Sequence, residues 1–243
     1  MHTTMLQAAT RPLPGLVVLA LFSGCNVASS GMNMEGARLH QQGDYQAAMQ
    51  RFMQAIAQDP NNADSYYNLA ATHHRMGKLN NNEADLIQAE SFYNQCLDRN
   101  SDHTECYRGL AVLLTETERP DAAFRLMEGW VTRSPALADA KIELARLSQE
   151  FGNNNAAKEH LLSALNLEPS NSRALTALGN IREADGEHLQ ALQNYERSLA
   201  SNQFQPLVAS RVAALQSTVG RSTLLSPPGE TRVVSEPRTW RRY

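Results

Sequence analysis

The chain has 243 residues, enough for one large domain or two small ones, and 42% of them are hydrophobic, which is ordinary for a folded domain. Its formal net charge of −3 and pI near 6.2 provide no positive field, which argues against nucleic-acid binding. Aromatic residues make up only 6%, and Ala, Leu, Gln, Asn and Glu recur while runs of β-branched residues are nearly absent. This composition predicts a helical protein.

The N-terminal segment has the organisation of a secretory signal. Arg11 precedes an apolar stretch over residues 13–22, which is shorter than the roughly 20 residues of a membrane span but suits the core of a signal peptide. The letters LFSGC that follow resemble the bacterial lipoprotein signal, in which a small residue precedes a cysteine that receives lipid. The resemblance implies a signal peptide over residues 1–24, lipidation at Cys25 and a short tether over 25–28. Cleavage without lipid, a retained anchor and an incidental apolar start are the alternatives.

A pattern with a period of 34 residues follows this segment. Alanines recur at this interval, and large residues stand four and eight positions after each of them. The alanines are Ala89, Ala123, Ala157 and Ala191, and the large residues are Tyr93, Met127, Leu161 and Tyr195, then Leu97, Val131, Leu165 and Leu199. Each period holds two amphipathic helical stretches around a polar break, so the pattern predicts helical hairpins that must stack to bury their apolar faces.

The spacing resembles the tetratricopeptide repeat, a 34-residue unit with Leu-Gly, Gly-Asp-Tyr, Ala, an aromatic residue, Ala and Pro at fixed offsets. The resemblance implies an all-α, right-handed superhelix (an α-solenoid) of five helical hairpins plus a capping helix. The predicted repeats are 29–62, 63–103, 104–137, 138–171 and 172–205, followed by a capping helix over 206–218 and a disordered basic tail over 219–243. We number the repeats 1 to 5 in this order.

Repeat 2 is longer than the others. Ala48 of repeat 1 precedes Ala89 by 41 residues, seven more than the period. The extra residues lie within 80–88, a range that begins with three consecutive asparagines. We expect a lengthened turn plus about one added helical turn at the start of the second helix. A partner contact and a tolerated insertion in an exposed turn are both open explanations.

In the family that the repeats resemble, the first helix of each repeat lines an inner, concave groove. The resemblance therefore implies a partner-binding groove formed by Asp64, Tyr67, His74, Arg75, Glu105, Arg108, Asp139, Arg146 and Arg173. These side chains could hold an extended peptide through hydrogen bonds and charge. The alternative is that they are solvated helix faces with weak Arg–Glu pairs.

The sequence shows no catalytic motif. It contains no Gly-rich phosphate loop, no nucleophile elbow and no recognisable pair of carboxylates, so we expect a protein that is not an enzyme and needs no cofactor. His73 and His74 are adjacent, and adjacent helical residues point about 100° apart. No metal site is therefore predicted at this pair, and His73 is expected to be a packed core residue.

Two further positions depart from the repeat pattern. Cys96 and Cys106 are expected to be buried thiols, but export to an oxidising compartment would allow a disulfide, which remains the alternative. Trp130 occupies a column of small residues. We expect it either to splay its repeat or to fill a gap beside Met127.

The combined expectation is a non-enzymatic scaffold for protein–protein interaction in a bacterial cell envelope. It would be lipid-anchored to a membrane, face the periplasm and assist the assembly or localisation of a complex such as a pilus or secretion system. The order of segments looks like that of the accessory lipoproteins of pilus assembly and secretin-type export. A soluble cytoplasmic adaptor and a regulatory subunit of an envelope enzyme are the alternatives.

Overall fold

A computed structural model describes the backbone of residues 20–225 and the side chains of residues 29–218. Within residues 20–225 the chain forms helices and no strand, which confirms the all-α, solenoid-type fold class. The helices are α1 Ala20–Gln41, α2 Tyr45–Gln58, α3 Ala63–Asn80, α4 Glu83–Arg99, α5 Thr104–Glu116, α6 Pro120–Arg133, α7 Ala138–Glu150, α8 Asn154–Leu167, α9 Ser172–Ala184, α10 His188–Ser201 and α11 Pro206–Leu225. None of them is both long and apolar enough to span a membrane.

The helices belong to two compact units, residues 1–135 and 136–243. In the N-terminal unit α1 pairs with α2, α3 with α4, and α5 with α6; in the C-terminal unit α7 pairs with α8, α9 with α10, and α11 packs against α10. α1 begins at Ala20, inside the predicted signal and tether, and the side chain of Cys25 lies outside the described residues. α11 continues past the predicted end of the capping helix to Leu225. The rest of the predicted tail, 226–243, lies outside the described residues.

Each hairpin turn contains one residue with a positive φ. Gly43, Gly152 and Gly186 fill three of the turns, with φ between 75° and 83°. Asn81 (φ 49°) and Glu118 (φ 59°) hold the left-handed conformation in the other two. The left-handed region costs a residue with a Cβ atom about 1–2 kcal/mol. This cost explains why glycine recurs between the paired helices and identifies Glu118 as a strained exception.

The seven extra residues of repeat 2 extend both of its helices. α3 has 18 residues and α4 has 17, whereas α5 and α6 have 13 and 14. The turn between α3 and α4 consists of Asn81 and Asn82 alone, so the prediction of a lengthened turn was wrong. The prediction of added residues in the second helix was right in kind, but α3 gains more residues than α4.

Two of the three asparagines cap a helix in this turn. Asn80 is the last residue of α3, and Asn81 is its left-handed C-cap, with its N–H donating to the Gly77 carbonyl. The Asn82 side chain caps α4 by accepting a hydrogen bond from the backbone N–H of Ala84 at 3.1 Å. Asparagine suits both tasks because it tolerates the left-handed region and is a favoured N-cap.

The repeated small residues mark the closest approach of paired helices. Ala48, the alanines of the 34-residue column and Gly179 are all buried. A Cβ atom on Gly179 would lie 2.5 Å from the Tyr195 ring, so the aromatic residue of α10 packs directly on the backbone of α9. α11 covers the outer side of this pair, because Val208 and Leu215 pack in one cluster with Ala191 and Tyr195.

Trp130 is accommodated by an aromatic stack and a hydrogen bond. Its side chain is fully buried and lies parallel to Tyr107, with ring centroids 4.0 Å apart. The indole Nε1–H donates to Asp102 Oδ1 at 2.8 Å, and Ser134 Oγ donates to the same oxygen at 2.6 Å. The hydrogen bond from Ser134, followed by that from Trp130, lowers the pKa of the Asp102 carboxyl. Tyr107 thus packs against the large side chain in the column of small residues, and Asp102 accepts its N–H.

Candidate partner-binding surfaces

Three predicted groove residues of the N-terminal unit meet at His103, a histidine that was not among the predicted site residues. His103 is the N-cap of α5, and its Nδ1 accepts a hydrogen bond from the backbone N–H of Cys106 at 3.3 Å. Its Nε2 lies 2.9 Å from Oδ1 of Asp64, whose side chain is exposed. The Tyr67 ring stacks on the imidazole with centroids 5.7 Å apart, and Glu105 Oε2 lies 3.6 Å from Nδ1. His103 therefore joins the first helices of repeats 2 and 3.

The two predicted arginines of this unit occupy different settings. Arg75 is exposed, and its Nε donates to the Tyr45 hydroxyl at 3.5 Å. Arg108 is half-buried on α5. Burial, followed by the charge of Glu105, raises the pKa of Tyr67, whereas the charge of Arg108 lowers it. The charges of Arg108 and Glu105 therefore both reach the Tyr67 hydroxyl, with opposite effects on its pKa.

His74 does not face an open groove, in contrast to the prediction. It is buried, with Nε2 2.8 Å from Glu116 Oε2 and Nδ1 3.4 Å from the Tyr93 hydroxyl. Burial opposes ionisation of Glu116, but hydrogen bonds from Lys78 and His74 outweigh it and lower the pKa of this carboxyl. Glu116, 42 residues away in sequence, thus bonds to His74 from the next repeat. His74 is therefore a buried residue with internal partners rather than an open position of the groove.

His73 packs against a neighbouring ring but is half-buried. Its imidazole stacks on Phe92 with centroids 5.5 Å apart, and Nδ1 lies 2.9 Å from Asp85 Oδ1. Asp85 belongs to the added turn of α4, so the insertion holds this histidine in place.

The lengthened helices of repeat 2 line a pocket of about 500 Å³. Its lining residues come from α3, α4, α5 and the turns that follow α3 and α5: Gly77, Lys78, Asn81, Glu83, Leu86, Leu113, Glu116 and Thr117. Leu79 and Ile87, on the same two long helices, are each more than half exposed. The insertion thus forms a concave surface that the repeat pattern alone does not predict.

In the C-terminal unit the predicted groove residues Asp139, Arg146 and Arg173 meet around Glu143, which is fully buried. Arg173 donates to Glu143 and, through Nη1, to Asp139 Oδ1 at 2.9 Å. Arg146 donates from Nε to Glu143 Oε2 at 3.2 Å and from Nη1 to Glu150 Oε2 at 2.9 Å. A buried carboxylate needs such partners. The guanidinium groups predicted to bind a ligand are therefore engaged with the chain's own acids.

A second pocket, in the C-terminal unit, lies beside α11 and has a volume of about 470 Å³. It is lined by residues of α9, α10, α11 and the preceding loop: Thr176, Asn180, Tyr195, Gln205, Pro206, Leu207, Val208, Ser210 and Arg211. Leu207 is 81% exposed and the nearby Phe204 is 94% exposed. The Tyr195 hydroxyl lies 2.7 Å from Asn180 Oδ1, and Arg211 Nη1 donates to Glu183 at 2.9 Å. The pocket combines an apolar wall with amide, hydroxyl and guanidinium groups.

Cys96 and Cys106 form a disulfide between α4 and α5, with their Cα atoms 6.5 Å apart. The expectation of two buried thiols is therefore corrected in favour of the alternative that the sequence left open. Both residues are fully buried, as expected. The sequence could not decide the pairing because it depends on how the turn between the two helices folds back.

Comparison with known proteins finds a family of helical repeats in both units. A family model described as TPR repeat matches residues 36–77, and one described as tetratricopeptide repeat matches residues 142–206. Each match lies in a different compact unit, and each covers paired helices. Tetratricopeptide-repeat models therefore match part of each unit, and such repeats imply a scaffold for protein–protein interaction.

Particular relatives are distant. Over 171 residues, 68% of this chain, the sequence is 26% identical to the human protein O-mannosyl-transferase TMTC1. The match spans only 18% of that protein's length, so it assigns no transferase activity here.

Solved structures share the fold. The TPR protein TTC0263 of Thermus thermophilus superimposes with a TM-score of 0.57 at 21% identity, covering 78% of this chain and 100% of the other. Yeast Tom70 superimposes with a TM-score of 0.66 at 19% identity, covering 86% of this chain and 43% of the other. At these identities the likeness shows the fold alone.

Proposed function

We propose that this chain is a non-enzymatic adaptor of a bacterial cell envelope that holds an extended peptide segment of a partner protein. In this proposal a lipid on Cys25 keeps the scaffold at a membrane, facing the periplasm. The adaptor assists the assembly or localisation of a multiprotein machine such as a pilus or secretion system. The repeats support the interaction role, and the LFSGC letters support the anchor.

The pocket beside α11 is the observation that carries the binding role. Its volume is in the range of ligand pockets, and its wall includes the exposed side chain of Leu207. An apolar side chain of a peptide gains free energy by covering such a surface. The exposed amide of Asn180 can pair with peptide backbone groups, which are obligatory hydrogen-bonding partners. The Gln205 amide instead bonds to Ser198 and Asn202 and holds the wall of the pocket in place.

The charged residues predicted for the groove are weaker candidates in this unit. Arg173 and Arg146 both bond to the buried Glu143, so an incoming carboxylate would have to compete with an internal partner. Removing one partner from a buried charge is costly. We therefore assign these residues to maintaining the surface and the α11 pocket to direct contact.

The binding role is tested by affinity capture from detergent-solubilised membranes with wild type and variants. The double variant Asn180→Ala/Leu207→Ala should reduce capture of the specific partner about tenfold or more, which is the effect of losing roughly 1.4 kcal/mol. Leu189→Ala is a matched control, because Leu189 is also exposed (57%) and lies in the same unit but not in the pocket. Equal capture by all three proteins would rule out the pocket as the contact.

The anchor is tested separately by metabolic labelling with palmitate. We expect label on the wild-type chain, none on Cys25→Ser, and accumulation of unprocessed chain when the lipoprotein signal peptidase is inhibited by globomycin. An unlabelled chain in the soluble fraction would favour the cytoplasmic adaptor instead.

The role in a machine is tested by deletion. Loss of pili or of secretion, restored by wild type and not by the Cys25→Ser or pocket variants, is the expected result. A deletion strain with intact pili and secretion would overturn this version. Loss of an envelope enzyme's activity in that strain would instead support the regulatory-subunit alternative.

A further inference from the structure

Three potential metal ligands converge at the junction of α4 and α5. Cys96, His103 and Cys106 are all buried, and their ligand atoms lie within 4.8 Å of one another. Cys96 is near the end of α4, His103 is the N-cap of α5, and Cys106 is in the first turn of α5. The short turn between the helices therefore collects two sulfur atoms and an imidazole in one place, away from the pockets described above.

The imidazole is oriented as a metal ligand would be. Asp64 Oδ1 lies 2.9 Å from Nε2 of His103, which leaves Nδ1 on the side of Cys106, 3.3 Å from its backbone nitrogen. Histidine ligands commonly donate their other N–H to a carboxylate, which fixes the ring and raises its basicity. The Cys106 N–H also bonds to the His103 carbonyl oxygen at 3.1 Å. It therefore keeps a partner if a metal takes the Nδ1 lone pair.

We propose that the dithiol form of the protein binds one Zn²⁺ ion through Cys96 Sγ, Cys106 Sγ and His103 Nδ1. Glu105 Oε2, 3.6 Å from Nδ1 on a half-exposed side chain, supplies the fourth ligand at the open side. Two thiolates, an imidazole and a carboxylate match the ligand types and the coordination number of four that zinc prefers. Asp64 acts as the positioning residue for the imidazole.

The disulfide and the metal are mutually exclusive states of this site. A dithiol supplies two electrons and two protons and is itself oxidised to a disulfide; a phosphine supplies two electrons, becomes the phosphine oxide and takes the oxygen and both protons from water. Either reductant converts the disulfide of the protein into two thiols. Zn²⁺ then displaces the two thiol protons and binds the thiolates. Either state cross-links α4 to α5, so the junction between repeats 2 and 3 is stapled under both oxidising and reducing conditions.

The proposal is tested by titrating Co²⁺, a spectroscopic substitute for Zn²⁺, into the full chain carrying Cys25→Ser and reduced with a phosphine. We expect a thiolate-to-cobalt charge-transfer absorption and the d–d bands of a tetrahedral site. Both should saturate at one Co²⁺ per chain and disappear when Zn²⁺ is added. The oxidised chain should show neither signal.

Variants separate ligation from folding. Cys96→Ser/Cys106→Ser should abolish the charge-transfer band. His103→Asn removes the imidazole but retains an N-cap side chain for α5, so this variant should fold and bind Zn²⁺ more weakly. Asp64→Asn should weaken Zn²⁺ binding by about 10- to 100-fold, as for other orienting carboxylates. Circular dichroism checks that each variant is folded.

Two results would overturn the proposal. One is a reduced chain without the charge-transfer band. The other is metal binding that is equally tight in the oxidised chain or in the double serine variant, because that binding would come from surface carboxylates. Unchanged Zn²⁺ affinity in folded His103→Asn would remove the imidazole from the site and contradict the assigned ligand set.

Discussion

Glu118 holds a backbone conformation that glycine supplies in three other hairpin turns. Its φ is 59°, and its side chain is exposed. Replacing it with glycine removes the clash of Cβ in the left-handed region, at some cost in chain entropy. We expect Glu118→Gly to raise the free energy of unfolding by about 1 kcal/mol, measured by urea denaturation.

The reverse substitution in another turn is the control. Gly186 has φ 78°, and a Cβ atom there would meet nothing within 4 Å, so only the backbone conformation is strained. Gly186→Ala should lower the free energy of unfolding by about 1 kcal/mol. Two changes of the same sign would show that the turns are not governed by φ.

The hydrogen bond from Trp130 to Asp102 should make the surroundings of Trp130 depend on pH. The pKa of Asp102 is lowered in the folded chain by Ser134 and then Trp130, so this carboxylate stabilises the fold above its unfolded pKa of about 4. That contribution falls as the pH drops through the lower folded pKa. In a Trp240→Phe background, Trp130 fluorescence should change in this acid range, and Asp102→Asn should remove the transition. An identical acid transition in Asp102→Asn would contradict the assignment.

Individual contacts were the level at which sequence prediction was least successful. The sequence places His74 on a helix face, but the ring is buried and bonds to Glu116 of another repeat. His103 and Glu143 were not chosen as site residues, although they organise the two predicted surfaces. A histidine directly before a helix was the available signal for His103. For Glu143, a carboxylate among apolar residues of α7 was the signal.

The helices and their pairing could be predicted from the sequence, because they depend on the spacing of residues within a repeat. The 34-residue columns place Ala89, Ala123, Ala157 and Ala191 in buried contacts, as their small size predicts. The insertion was misassigned, since counting residues shows how many are added but not which helix takes them. Asn82 offered a clue, because an asparagine before Glu-Ala suits an N-cap.

The N-cap at Asn82 predicts a position-specific effect on stability. Asn82→Ala removes the hydrogen bond to the Ala84 N–H and should cost about 1 kcal/mol. Asn80→Ala is the matched control, since Asn80 is an exposed residue at the end of α3, and it should change stability by less than about 0.5 kcal/mol. Urea denaturation of both variants checks the difference. Equal effects would show that Asn82 does not cap α4.

In repeat proteins stability is local, because each repeat contacts only its neighbours. α11 takes the place of a further repeat for α10, because Leu215 and Val208 pack in one cluster with Tyr195 and Leu192. Because this cluster lies within the C-terminal unit, a defect in it should destabilise that unit first.

Leu215→Ala tests this view of the whole molecule. The side chain is 4% exposed, and its truncation should cost about 2–3 kcal/mol, in the lower part of the range for buried leucines. Hydrogen–deuterium exchange should accelerate in α9, α10 and α11 and stay unchanged in the N-terminal unit, because opening is confined to neighbours of the defect. Leu207→Ala, at an 81% exposed position on the same helix, should leave exchange unchanged throughout. Faster exchange across α1 to α6 in Leu215→Ala would instead mean that the described part of the chain unfolds as one cooperative body.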